Sequence, residues 1–145
     1  MNTTPGEKIA LVSGGALFIA SFLPWYKFER FFISQPLDSD KVNAWEGDGA
    51  IWSILAVLTG ALMVGLLVAV RFANVKLPAL PRGFTLARIH LGLAAAGIVL
   101  MAIRIVSHSD DLAYGTFIGI ACAVGMITAG IVMNQEERST HNTAM

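Results

Sequence analysis

Residues 50–72 read AIWSILAVLTGALMVGLLVAVRF, an apolar stretch in which the one charged residue, Arg71, stands next to the end. A bilayer core about 30 Å thick is crossed by roughly 20 residues of helix. Three further stretches have the same character, and we predict transmembrane helices at about residues 9–28, 50–72, 84–106 and 112–133. The sequence therefore predicts an all-α fold, a bundle of four transmembrane helices running alternately up and down, in one domain of residues 1–133.

The composition favours the same class of protein. Of the 145 residues 55% are hydrophobic and 14% are charged, whereas soluble domains carry about 25% charged residues. The formal net charge of zero offers no strong field to attract nucleic acid. A single cysteine, Cys122, excludes an internal disulfide and the membrane thiol oxidoreductases, which need paired cysteines.

Basic residues are distributed unevenly between the two sides of the predicted bundle. The side that holds both chain ends carries six of the ten: Lys8, Arg71, Lys76, Arg82, Arg88 and Arg138. Because basic residues accumulate on the cytoplasmic side, we predict a plasma-membrane protein with both termini in the cytoplasm. The polar tail of residues 134–145 is predicted to be disordered, and residues 27–49 to form a long first extracellular loop.

Aromatic residues mark the start of that loop and its later part. Pro24 favours a kink or an early end of the first helix, and Trp25 and Tyr26 follow it directly. Amphipathic aromatics at such a place are typical of the headgroup level, where we expect both side chains. Trp45 is the expected anchor of a recognition surface formed by the loop.

Small residues recur at four-residue intervals in the fourth span, as Gly115, Gly119 and Ala123. Such rows let membrane helices approach closely. Two interpretations remain open, packing inside the four-helix bundle and contact with another subunit.

The third span holds the polar intramembrane candidates Arg88, His90 and Arg104. Charged side chains within a membrane are costly and call for an explanation. Both arginines lie near helix ends, where long side chains extend to the headgroups, and Arg104 is expected within reach of Asp110 or Asp111. His90 lies deeper, and we expect a hydrogen-bonded structural histidine rather than a haem ligand or a proton relay.

The chemical motifs of common enzymes are missing from the sequence. It has no phosphate-binding glycine loop, nucleophile elbow or histidine-rich metalloprotease motif. His108, Asp110 and Asp111 have the residue types of a metal site, but a polar turn between two helices has the same composition. We therefore predict no catalytic residue, metal or cofactor.

Two resemblances rest on the aromatic segments. The segment Phe22–Tyr26 (FLPWY), followed by Asn43–Trp45 (NAW), resembles small uncharacterised four-helix membrane proteins of actinobacteria, over roughly residues 9–72. The placement of Trp25 and Trp45 is also similar in architecture to claudin-like proteins, although the cysteine pair of their first loop is absent here. These resemblances imply a four-helix membrane fold and no particular chemistry.

The leading hypothesis for function is a non-enzymatic interaction protein of the membrane. It would be an accessory or self-assembling subunit, with the lipid bilayer and a homo-oligomer or larger membrane complex as partners. The first alternative is a small oligomeric channel or transporter whose path is lined by His90 and Arg104. The second is a membrane enzyme acting on lipid headgroups through His108, Asp110 and Asp111.

Overall fold

The computed structural model describes residues 3–32, 35–47, 50–73, 75, 84–107 and 112–143, with the backbone alone for residues 28–32, 35–40, 141 and 143. Its elements, in chain order, are α1 (Pro5–Ala20), β1 (Tyr26–Phe32), β2 (Gln35–Val42), α2 (Ala50–Arg71), α3 (Leu86–Ser107) and α4 (Tyr114–Thr143). Within the described residues, three helical segments are long and apolar enough to cross a membrane: Ala50–Arg71, Leu86–Ser107 and Tyr114–Thr140. The prediction of a mainly helical membrane protein is confirmed to this extent.

Helix α1 starts and stops earlier than predicted. Thr4 caps its start, since the Thr4 side chain accepts from the Glu7 amide and the Glu7 carboxylate accepts from the Thr4 amide. The helix ends at Ala20 rather than near residue 28, because a residue before proline avoids helical backbone angles and Pro24 cannot donate a hydrogen bond. The final amides bond three residues back, as from Leu23 to Ala20 at 3.0 Å.

A β-hairpin occupies the first loop, which the all-α prediction missed. Strands β1 and β2 pair antiparallel from Tyr26 opposite Val42 to Phe32 opposite Gln35, with a register shift between Phe28 and Arg30. Tyr26 also forms a bridge with Leu112, just before α4. This bridge therefore connects the hairpin, which precedes α2, to the segment that precedes α4.

Helix α4 continues through most of the tail that was predicted to be disordered. It runs to Thr143, and residues 144–145 lie outside the described part. The extension is held by two carboxylates: Glu136 accepts from the Gly6 amide at 3.2 Å, and Glu137 accepts from the Ala87 amide at 3.4 Å. Because the first amides of a helix have no partner within it, these contacts join α4 to the starts of α1 and α3.

The four helices pack side by side around a shared core. Helix α1 packs against α2 and α4, and α3 packs against the same two helices. The main core cluster lies toward the hairpin and includes Leu17, Trp25, Val57, Met63 and Met126. A second cluster lies at the other end, with Ala10, Leu67, Ala87, Ala129 and Met133.

Candidate functional site

The hairpin end of the bundle, which carries β1, β2 and the start of α4, is organised around Trp25. This side chain is completely buried. Its amide donates to Val42 O at 2.9 Å, and its Nε1–H donates to Ala20 O at 2.7 Å. Its own carbonyl oxygen accepts from the Ala113 amide at 2.8 Å and from Thr116 Oγ1 at 2.6 Å. Trp25 thus joins α1, β2 and α4, and its side chain is enclosed by protein rather than exposed to the headgroups.

Gly115 and Gly119 form the wall on which Trp25 rests. A Cβ atom at Gly115 would lie 2.5 Å from Pro24 O, and one at Gly119 would lie 2.9 Å from Trp25 Cη2. Ala123, one turn further along α4, is also buried. The row therefore serves packing inside the chain, which is the first of the two interpretations, and it is not accessible to another subunit.

Tyr26 and Arg104 are buried together next to this wall. The Arg104 guanidinium carbon lies 4.2 Å from the centre of the Tyr26 ring, and both side chains are almost completely inaccessible. Tyr26 is therefore not exposed to the headgroups, and the expectation that Arg104 extends to the surface is wrong. A desolvated cation over an aromatic face is favourable by about 2 kcal/mol, which contributes to holding the arginine inside. Asp110 and Asp111, its expected partners, lie outside the described residues.

Trp45 is only partly accessible, because it packs back onto the end of α1. Its Nε1–H donates to Ser21 Oγ at 2.9 Å, and Ser21 Oγ donates to Phe18 O at 2.6 Å. The Trp45 ring stacks on Phe22 with centres 6.0 Å apart, and Phe22 meets Phe18 edge-on at 5.5 Å. We call these three side chains the aromatic row. Phe18 and Phe22 were not among the predicted residues, although their four-residue spacing places them on one helix face.

His90 is completely buried between α2 and α3. Its Nδ1 lies 2.8 Å from Leu86 O and its Nε2 lies 3.1 Å from Met63 O. Both ring nitrogens therefore face carbonyl oxygens of the protein. This geometry is that of a structural histidine joining two helices, since neither nitrogen points into open space where a metal could bind.

The end of the bundle opposite the hairpin carries Thr4, Arg71 and Leu86, and we call it the terminal end. A second group of polar side chains lies there. Glu7 is buried, and its Oε1 accepts from Arg71 Nε at 2.6 Å. Arg88 lies exposed in the first turn of α3, which agrees with the expectation that it reaches the surface. Glu7 was not a predicted site residue, and its place in a capping box is the sequence signal that could have found it.

The buried polar groups described at both ends hydrogen-bond one element to another. Among the described residues, no three histidine, cysteine or acidic side chains are grouped so that they could hold a metal ion. No protein-family model matches the chain. Neither a curated protein nor a solved structure is significantly similar to it.

Proposed function

We propose that this chain is a non-enzymatic subunit of the plasma membrane that acts by binding another membrane protein, as an accessory component or with a second copy of itself. The hairpin and the aromatic row beside it form the proposed recognition surface. The observation that carries the proposal is the fourfold hydrogen bonding of Trp25, which fixes the hairpin to the helices. A hairpin held in this way presents its surface in one orientation, and such preorganisation lowers the cost of binding.

All four helices cross the membrane in this proposal, including the 16-residue α1. At about 1.5 Å per residue α1 rises roughly 24 Å, and the turn of residues 21–23 extends it toward the hairpin end. Val12 and Ile19 are about 70% exposed on its outer face, as expected of side chains that meet lipid. The terminal end faces the cytoplasm, since it carries Lys8, Arg71 and further basic residues.

Phe22 is the better candidate for the anchor of this surface. It is 59% exposed, whereas Trp45 is half-buried and its indole N–H is already bonded to Ser21. Aromatic side chains with large contact area are enriched among the residues that dominate binding energy. The proposed partner therefore offers an apolar transmembrane helix to the aromatic row.

Photo-crosslinking in native membranes tests this surface. A photoreactive phenylalanine at Phe22 is compared with one at Phe117, which is 61% exposed on α4 and serves as a control of equal chemistry and exposure. We expect a defined protein adduct from position 22 and lipid adducts from position 117. An adduct of two differently tagged copies identifies self-assembly, and a heterologous adduct identifies an accessory role. Lipid adducts alone from both positions would refute the proposal.

The two alternatives gain no support from the described residues. A transport path lined by His90 and Arg104 would need contact with water, but both side chains are completely enclosed. The lipid-headgroup enzyme depends on His108, Asp110 and Asp111, which lie outside the described part of the chain.

A further inference from the structure

Two cavities of opposite charge open at the terminal end of the bundle. The larger, about 470 Å³, is lined by Glu7, Glu136, Glu137 and Arg71 among others. The smaller, about 310 Å³, lies between the starting turn of α3 and the extension of α4, and we call it the basic cavity. Its lining residues are Thr85, Arg88, Asn134, Glu137, Arg138 and Asn142.

The basic cavity is rich in hydrogen-bond donors. Asn134, Arg138 and Asn142 follow one another at four-residue spacing on α4 and so share one helix face. Thr85 and Arg88 face them from the start of α3. Guanidinium, carboxamide and hydroxyl groups all donate hydrogen bonds, and arginine binds phosphate oxygens in pairs. This donor set suits a phosphate group.

Glu137 is the acidic group among the described lining residues, and it does not cancel this preference. Glu137 directs its Oε1 to the Ala87 amide at 3.4 Å, at the first turn of α3. The N-terminus of a helix favours negative charge. The charge of the Glu137 carboxylate is therefore partly compensated by α3. Two arginines and one glutamate leave the lining with a net positive charge.

The depth of the cavity matches the headgroup layer of a membrane. The 20 residues from Tyr114 to Met133 rise about 30 Å along α4, which equals the thickness of the hydrocarbon core. Asn134 then stands at the boundary of the hydrocarbon. Arg138 lies about 6 Å further out, within a headgroup layer that is roughly 5–7 Å deep. Lipid phosphates occupy this layer.

We propose that the basic cavity binds the headgroup of an anionic phospholipid, with the phosphate held between Arg88 and Arg138. This inference rests on the membrane placement argued under the proposed function. The acyl chains of that lipid extend along the apolar surfaces of α3 and α4. The site anchors the terminal end at the inner leaflet, where anionic lipids attract basic residues.

Lipid retention tests the site. The full chain is reconstituted in vesicles of equal phosphatidylcholine and phosphatidylglycerol and extracted into mild detergent, and retained lipids are counted by native mass spectrometry. We expect enrichment of phosphatidylglycerol, and about a fivefold loss of it for each of Arg88→Gln and Arg138→Gln. Lys8→Gln is the control, since Lys8 is an exposed cation at the same end that does not line the cavity; it is expected to retain lipid like the parent chain.

Each remaining outcome contradicts the site. Equal retention of both lipids, unchanged retention in the two arginine variants, or an equal loss in Lys8→Gln would overturn it. Displacement of the lipid by excess inorganic phosphate would also overturn it, because it would identify a soluble phosphate as the ligand. A chain that inserts into vesicles without lipid preference refutes this inference alone, whereas a chain that fails to insert refutes the proposed membrane placement.

Discussion

Gly115→Ala is expected to destabilise the protein by forcing Trp25 away from α4. The added methyl carbon would lie 2.5 Å from Pro24 O and 2.7 Å from Trp25 Cδ1, whereas carbon atoms in contact are about 3.5–4.0 Å apart. Pro24 O also accepts from the Gly115 amide at 2.9 Å, so the carbonyl cannot retreat without stretching that bond. Overpacking costs about 1–3 kcal/mol and a weakened hydrogen bond about 1 kcal/mol. We expect a loss of about 2–4 kcal/mol in the free energy of unfolding.

Gly92→Ala provides the matched control. Gly92 lies within α3, and a Cβ atom there would meet nothing within 4 Å. The same substitution should therefore leave stability unchanged or raise it by up to about 1 kcal/mol through helix propensity. Both variants and the parent chain are unfolded with sodium dodecyl sulfate in mixed micelles and followed by circular dichroism. Equal stability of the two variants would show that Trp25 does not rest on the Gly115 wall.

Three further outcomes follow from the same structure. No described group hydrogen-bonds the buried Tyr26 hydroxyl, so Tyr26→Phe should leave stability unchanged or raise it by about 1–3 kcal/mol; a loss in the micelle titration would contradict this placement. Replacing Glu136 and Glu137 with glutamine should cost about 0.3–1 kcal/mol each, because both carboxylates face helix starts; a disordered tail would show no change. Both ring nitrogens of the buried His90 lie within hydrogen-bond distance of carbonyl oxygens on two helices, so His90→Leu should destabilise the protein by about 1–3 kcal/mol; unchanged stability in the same titration would contradict this arrangement.

The apolar spans could be predicted closely because their signal is local. In lipid, backbone polar groups must bond within the segment, which leaves the helix as the solution for an isolated apolar stretch. Helices α2 and α3 accordingly lie within two residues of the predicted bounds at each end. The end of α1 was misplaced because hydropathy continues past Pro24, while the backbone restriction imposed by proline stops the helix earlier.

The hairpin and the helical tail depended on information that no local pattern carries. A two-stranded hairpin is marginal alone, and here it is held by Trp25, whose bonds lead to α1 and α4. The polar composition of the tail is typical of disorder. Glu136 and Glu137 keep it helical by reaching amides at the starts of two other helices.

The order of apolar and polar segments was enough to predict segments apolar enough to cross a membrane, the number of helices and the approximate length of α2 and α3, because transfer of each segment into lipid depends on its own residues. Which aromatic and charged side chains are buried depended on the packing of distant segments. Trp25 accepts a hydrogen bond from Thr116, 91 positions away, and Arg104 lies over Tyr26 from a different element. A tryptophan or arginine side chain near a helix end can be either exposed at the surface or buried in the protein. The residues that pack around it in the folded chain determine which of these occurs.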